Sequence, residues 1–393
     1  MGPGIRLSPH PSVLSPEFMH ALAGILLAIW ALLFIQTVVN LCLAPRLGRE
    51  QTPKDPPPVS IVIPARNEER VIERTVRAFL AQDYENFEVI VVNDRSTDAT
   101  GEILATIHDR RLVVIEAEET PPGWLGKPWA LEQGSARARG ELLLFVDADL
   151  IYAPEAVRAA VAEIERDYAG LIALWPHLEM RTFAEQVAMP MMNFFGFSVL
   201  PLWLSNRSRA VGLAIGGGSG NLIRRSLLEK IGGFGVLKDA VVDDIGLARH
   251  ARQHGERTHA VRADDLISVR MYHSAAEILE GFTKNTFIMF ERSYLRGAVM
   301  LTWMLIVHLL PYVLAITGDF FAIAAVILIS ATRVVLFRSM RFRLDNAILL
   351  HPLMAAFWAY IFLRSMWFTG IRNELRWRGR TYNAAQTRFG AER

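Results

Sequence analysis

Two aspartates one residue apart, Asp147 and Asp149, close the apolar run 142–146, and a second acidic couple, Asp243 and Asp244, follows Ala240-Val241-Val242. Carboxylates crowded at one strand end repel unless a cation joins them. Mg2+ takes one or two carboxylates and completes its shell with water and substrate phosphates, so the first couple reads as a site for a metal-diphosphate. A carboxylate of the second couple has the chemistry to take a proton from an attacking hydroxyl while the metal side holds a leaving group. Plainer readings exist for each acid alone: Asp and Asn make turns and caps, and acids at a helix N-terminus face a favourable dipole. A single D-x-D arises often by chance, so its weight comes from context.

That context is the order of elements. The run 59–63 is β-branched and ends at Pro64, which predicts a buried strand. Ile72, Val76, Phe79 and Leu80 share one helical face, strands follow at 88–92, 112–115 and 142–146, and a turn-rich segment spans 93–98. Apolar strands alternating with helices predict an α/β fold with a mostly parallel sheet covered on both faces, and such sheets bind ligands beyond the carboxyl ends of their strands. Polar residues stand at three of those ends: Arg66-Asn67-Glu68 after Pro64-Ala65, Asn93-Asp94, and Asp147-Ala148-Asp149. Gly216-Gly217-Gly218-Ser219-Gly220-Asn221 has neither a Lys-Ser/Thr ending nor a dinucleotide fingerprint; its glycines read as letting the backbone approach the acceptor or substrate closely. His250 and His254 mimic half of a zinc site but lack the accompanying Glu, and read as a solvated helix face. Met189, Met191, Met192, Phe194, Phe195, Phe197 and Trp203 form a soft apolar patch, either core or an interfacial groove for a lipid.

Apolar residues make up 52% of the 393, more than an ordinary soluble protein carries. The excess lies in four runs, 18–43, 298–317, 320–337 and 347–368, each near the roughly 20 residues that cross a bilayer. The first is longer than a signal-peptide core and shows no cleavage site, so it reads as an uncleaved anchor. Arg46, Arg49 and Lys54 follow it, and Arg338, Arg341 and Arg343 follow the third run; both place the central region in the cytoplasm. His351 and Pro352 interrupt the last run, which reads either as a crossing or as a re-entrant segment. The expected layout is a disordered N-terminus (1–17), an anchor (18–43), a cytoplasmic catalytic domain (55–292), a membrane region of two or three spans (298–369) and a basic tail (370–393). One cysteine, Cys42, excludes an internal disulfide framework, a net charge of +2 gives no reason to expect nucleic acid, and the few charges within the spans argue against a transport pathway.

Taken together these motifs resemble membrane-bound family 2 glycosyltransferases, in particular hopene-associated and carotenoid-type bacterial enzymes and ceramide glucosyltransferases. The resemblance covers roughly 59–285 plus a C-terminal signature. It implies a GT-A fold in a bacterial inner membrane, a nucleotide-sugar donor with UDP favoured, Mg2+ or Mn2+, a lipid acceptor and inversion at the anomeric carbon. Pro64, Ala65, Asn67 and Glu68 match the nucleotide-binding opening, Asp94 the aspartate that contacts base or ribose, and Gly126-Lys127 an element near the diphosphate. Asp147 and Asp149 match the metal-binding pair, Asp244 the catalytic base, and Asp243 stands where Glu is usual. Gly218, Gly220 and Asn221 stand where the family lines the junction of donor and acceptor, and Trp377-Arg378-Gly379-Arg380 with Tyr382 resembles a terminal signature of lipid-glycosylating members. Processive relatives carry Q-x-x-R-W after the base; here the stretch is Glu280-Gly281-Phe282-Thr283-Lys284-Asn285, which lowers the case for polymer synthesis. The rival expectations are transfer to a polyprenyl phosphate or polysaccharide, and a non-catalytic nucleotide-sugar-binding scaffold.

Overall fold

The computed structural model describes residues 15–48, 55–166, 169–377 and 379–390. Its strands are β1 (Val59–Ala65), β2 (Phe87–Asn93), β3 (Leu112–Glu116), β4 (Leu142–Phe145), β5 (Leu150–Tyr152), β6 (Leu171–Trp175), β7 (His177–Leu178), β8 (Asn221–Arg224), β9 (Thr258–Arg262), β10 (Ile267–Val269), β11 (Glu374–Trp377) and β12 (Arg380–Asn383). Seven form the main sheet in the order β3-β2-β1-β4-β8-β6-β9. All its pairings are parallel except those of β8, which runs antiparallel to both neighbours. A smaller sheet, β5-β10-β7, stands beside it, and β11 and β12 make a separate ribbon.

The sheet is α/β and mostly parallel, as the alternation of elements implied, but β1 runs two residues past the expected stop and includes Pro64. The amide of Val59 bonds to Asn86 on the β2 side, so even-numbered amides of β1 face β4. Because β4 ends at Phe145, opposite Val62, the missing proline N–H at residue 64 falls where no partner strand needs a donor. The central strands are buried along most of their length, with Ile61, Val62, Ile63, Val89, Ile90 and Val91 at 0% exposure. That burial on both faces explains why their sequences are continuously apolar and not alternating.

Among the described residues, three helices are long and apolar enough to cross a membrane: Pro16–Leu43, Tyr294–Ile316 and Phe320–Ser339. The first begins at Pro16, capped by Ser15, so ordered helix starts two residues before the expected anchor. Its buried residues Ala23, Leu26, Trp30, Thr37 and Asn40 fall on one stripe at helical spacing. His20 meets Asp319 at 2.7 Å at one end, while Arg262 bridges to Ser339 near the other, so the first and third of these helices run side by side in the same direction. The last apolar run is not a fourth such helix. It breaks into Asp345–Leu349, His351–Ser365 and a π-helical turn, and packs against the Ala275–Thr286 helix.

The Met/Phe patch is core. Met189, Met191, Phe194 and Phe197 are buried, and Trp30 of the first apolar helix packs against Phe194. Asn40 donates to the carbonyls of Phe197 (2.8 Å) and Leu200 (2.7 Å), and Thr37 bonds Ser198 at 2.8 Å. At the sheet edge, a backbone bridge between Arg46 and Arg262 ties the residues after the anchor to β9.

Candidate active site

Lys127 is the second residue of the helix Gly126–Arg137. Its ammonium lies 2.8 Å from Asp147 Oδ1 and 3.3 Å from Asp243 Oδ1. Two acids from distant segments are thereby joined by one cation at the carboxyl end of β4, where open α/β sheets bind ligands. Asp243 and Asp244 open the helix Asp243–Gln253, so the backbone delivers both to the same place. Burial pulls against the Lys127 charge, but Asp147, Asp243 and Asp244 outweigh it and hold the ammonium well above its usual range. Burial raises the Asp243 carboxyl against the opposing effect of Lys127. Burial and the adjoining Asp243 charge push Asp244 up to about 6, in the range suited to a base at neutral pH.

The glycine run is explained by this crowding. A Cβ on Gly218 would sit 2.2 Å from Asp147 Oδ2, and one on Gly216 would sit 2.1 Å from the backbone oxygen of Asp244. The amide of Asp147 donates to Gly218 O at 2.9 Å. Gly220 has φ +150°, and its missing Cβ makes room for the Tyr152 hydroxyl, which donates to Ser219 O at 2.6 Å. Asn221 bonds the backbone oxygen of Asp244 through its amide nitrogen at 3.2 Å. Gly218, Gly220 and Asn221 thus form the floor between Asp147 and Asp244.

Asp149 follows β4 and opens toward a neighbouring cleft. It lines a cavity of about 470 Å³ together with Asn67, Glu68, Asp98, Arg270, Tyr272 and Glu280. Asn67 has φ 53°, accepts from the Thr97 amide at 2.8 Å, and so locks the turn after β1 onto the turn after β2. The Glu68 amide donates to Thr100 Oγ1. Pro64 and Ala65 are the end of β1, and Ala65 O accepts from the Asp94 amide at 2.7 Å. Asp94, 4% exposed, is held bidentately by Arg380 at 2.8 and 3.1 Å. Arg378 lies outside the described residues. The sequence-derived residues therefore fall into three adjoining groups: Asp147, Asp243, Asp244 and Lys127 over the glycine floor; Asn67, Glu68 and Asp149 around the cavity; and Asp94 with Arg380.

Among the described residues no group of three or more His, Cys, Asp or Glu side chains forms a ready metal cage. The donor set fits an ion that uses one or two carboxylates and draws its remaining ligands from a diphosphate and water, with Asp149 and Asp147 as the protein oxygens. Lys127 pairs with the Asp147 side of that set at 2.8 Å.

Lys284 was not legible as a site residue. It lies on the helix Ala275–Thr286, in electrostatic reach of Lys127, Asp147, Asp243 and Asp244, and burial together with the Lys127 charge brings it down to about 8. Its only signal in the sequence was position, within the stretch that replaces Q-x-x-R-W.

Residues 60–232 match the family described as Glycosyl transferase family 2. The Beta-monoglucosyldiacylglycerol synthase of Nostoc sp. is 28% identical over 211 residues, 52% of this chain and 43% of that protein. The 4,4'-diaponeurosporenoate glycosyltransferase of Staphylococcus aureus is 24% identical over 341 residues, 84% of this chain and 89% of that protein. The chain spans about half the length of several of the curated relatives it matches. A solved mannosyltransferase of Pyrobaculum calidifontis, in complex with GDP-Man and Mn2+, superposes with a TM-score of 0.55 at 21% identity, covering 89% of this chain and 99% of that one. The shared architecture is GT-A-like.

Proposed function

We propose that this chain is an inverting, metal-dependent glycosyltransferase that moves a sugar from a nucleotide-sugar donor, UDP-linked by preference, to a hydroxyl of a membrane lipid. The observation that carries the reading is the junction of Lys127 with Asp147 and Asp243 beside Asp244, at the carboxyl ends of a parallel sheet. Pro64, Ala65, Asn67, Glu68 and Asp94, at the carboxyl ends of β1 and β2, would take the nucleoside. Bound Mg2+ or Mn2+ on Asp149 and Asp147 would offset charge on the diphosphate as it leaves.

Asp244 takes the proton from the acceptor hydroxyl. The hydroxyl oxygen then forms its bond to the anomeric carbon as the bond from that carbon to the diphosphate breaks, which inverts the centre. Asp243 stays paired to Lys127, and this keeps the neighbouring Asp244 from sharing a second uncompensated charge. Lys127 faces the leaving diphosphate, where a positive charge gains most as negative charge develops. Tyr152 and the glycine floor hold Asp147 in place.

A lipid acceptor is supported by three apolar helices packed directly on the catalytic domain and by relatives named for glycolipid and carotenoid-type products. Arg46, Arg338, Arg341 and Arg343 gather at the catalytic ends of those helices, which favours a cytoplasmic face of a bacterial inner membrane. Incubating the purified protein with labelled UDP- and GDP-sugars, Mn2+ and a bacterial lipid extract tests this. A labelled lipid from a UDP-sugar, with inverted anomeric configuration, is expected. Label confined to polyprenyl phosphate or polymer would overturn the acceptor assignment, and no transfer from any donor would overturn the activity.

A further inference from the structure

The third apolar helix, Phe320–Ser339, stops where it meets the catalytic domain. Arg262 of β9 bonds Ser339, and His177 Nδ1 on β7 lies 3.1 Å from Met340 O, so the helix end and the domain are pinned together. Two backbone bonds close the helix: the amide of Phe342 donates to Phe337 O at 2.8 Å, and that of Arg341 to Arg338 O at 3.4 Å. The Phe337 and Phe342 rings pack edge to face at 5.5 Å beside this turn. Such a turn needs one residue in the left-handed region, and glycine is its usual occupant because a Cβ is strained there. Here the residue is Arg341, at φ 57°. A long side chain kept at a strained position calls for a use of that side chain.

One use is a latch, since Arg341 donates to Asp264 O and pairs with Asp265 at 2.7 Å. The latch does not account for the space beside it. Between the helix end and the domain lies a cavity of about 90 Å³, with Met180, Pro190, Phe337 and Phe342 among its apolar walls and Arg341 and Arg343 lining it as well. That is far below the roughly 300–1,000 Å³ that encloses a drug-sized ligand, so the space suits a small headgroup and not a whole lipid or a sugar nucleotide. Arg343 pairs with Asp345, and all four side chains in these two ion pairs are more than half exposed. Exposed pairs contribute little, and a phosphate offers each guanidinium a bidentate partner in their place. Just beyond Arg343, Leu344, Ile348 and Leu349 leave large apolar faces exposed. An anion carried on apolar chains satisfies both surfaces at once, whereas a free anion satisfies only one.

We propose that this cavity holds the phosphate of an anionic phospholipid from the leaflet that meets the catalytic domain, with Arg341 and Arg343 as its donors. The acyl chains lie against Leu344, Ile348 and Leu349. Nothing in this site belongs to the acidic junction, so its occupancy stands or falls independently of the transferase reading. A lipid held across the seam ties the membrane helix to the domain and stabilises the folded chain by mass action.

The test uses the full-length protein in a neutral detergent with phosphatidylglycerol, phosphatidylcholine or inorganic phosphate added. Retained lipid is counted by native mass spectrometry, and the thermal midpoint is followed in parallel. Wild type is expected to hold one phosphatidylglycerol at least about tenfold more tightly than phosphatidylcholine, whose choline brings a positive charge to the same arginines. The midpoint is expected to rise with phosphatidylglycerol and not with inorganic phosphate. Arg341→Gly removes the guanidinium while relaxing the left-handed turn, so the helix end keeps its shape; Arg343→Gln leaves the latch to Asp265 in place. Each is expected to weaken phosphatidylglycerol about tenfold. Arg338→Gln is the control, because Arg338 is exposed at the same helix end but does not line the cavity. Its binding is expected to change less than about twofold. Unchanged retention in either cavity variant, or an equal loss in Arg338→Gln, which would mean diffuse attraction to a basic surface, overturns the proposal. So does equal retention of phosphatidylcholine, or inorganic phosphate raising the midpoint as far as phosphatidylglycerol.

Discussion

Gly218→Ala is the sharpest probe of the glycine floor. The new methyl would stand 2.2 Å from Asp147 Oδ2 and 3.0 Å from its Cγ, against a limit near 3.0 Å for real contacts. Asp147 must therefore retreat by about 1 Å, yet its other oxygen is held at 2.8 Å by Lys127. Retreat breaks that bond or drags Lys127 from Asp243. A misplacement of about 1 Å at a reacting centre costs on the order of 100-fold in rate. Gly217→Ala is the matched control, because its nearest atom, Leu174 O, is 4.0 Å away. Neither glycine has the positive φ that would strain an alanine, so thermal midpoints by circular dichroism should stay close to wild type. With labelled UDP-sugar and lipid extract, kcat/KM is expected to drop about 100-fold for Gly218→Ala and less than about threefold for Gly217→Ala. Equal activity in the two variants would refute the claim that the floor fixes Asp147.

Three further outcomes follow from the same geometry. Asp244 acts as a base only when ionised, and with its carboxyl at about 6 the value of kcat/KM should rise with pH through 6, reaching roughly one-tenth of its plateau at pH 5; a flat profile between pH 5 and 7 would count against this base. Lys127→Ala leaves Asp147 and Asp243 without their shared cation, and steady-state assays should show a loss on the order of 100-fold in kcat/KM; a loss under threefold would show that the junction is ornamental. Asn40→Leu strands the carbonyls of Phe197 and Leu200 in a buried contact and should destabilise by about 2 kcal/mol, read as a lowered thermal midpoint in detergent; an unchanged midpoint would mean the anchor does not depend on that contact.

The sheet was legible because its strands are buried on both faces, which forces continuous runs such as 59–63 and 142–146. The acids were legible because strand ends are where such sheets bind ligands. Pairing partners were not. Nothing local to Asp147 says that Lys127 is its neighbour, because that contact depends on how a helix start twenty residues upstream meets the end of β4. Nor does the sequence around Arg380 show that it lies on Asp94, 286 residues earlier. The last apolar run was ambiguous for a physical reason: His351 and Pro352 break the helix, and packing against Ala275–Thr286 decided its course. Lys284 escaped notice because a single lysine on an amphipathic helix resembles any solvated one until its tertiary neighbours are known.

The central claim is that Asp244 removes the acceptor proton beside a donor held by the other acids. It is tested most directly by measuring single-turnover sugar transfer and UDP-sugar affinity in parallel for wild type and Asp244→Asn. The account predicts that transfer falls at least about 1000-fold while donor affinity changes less than about twofold. Transfer at the wild-type rate by Asp244→Asn would contradict it.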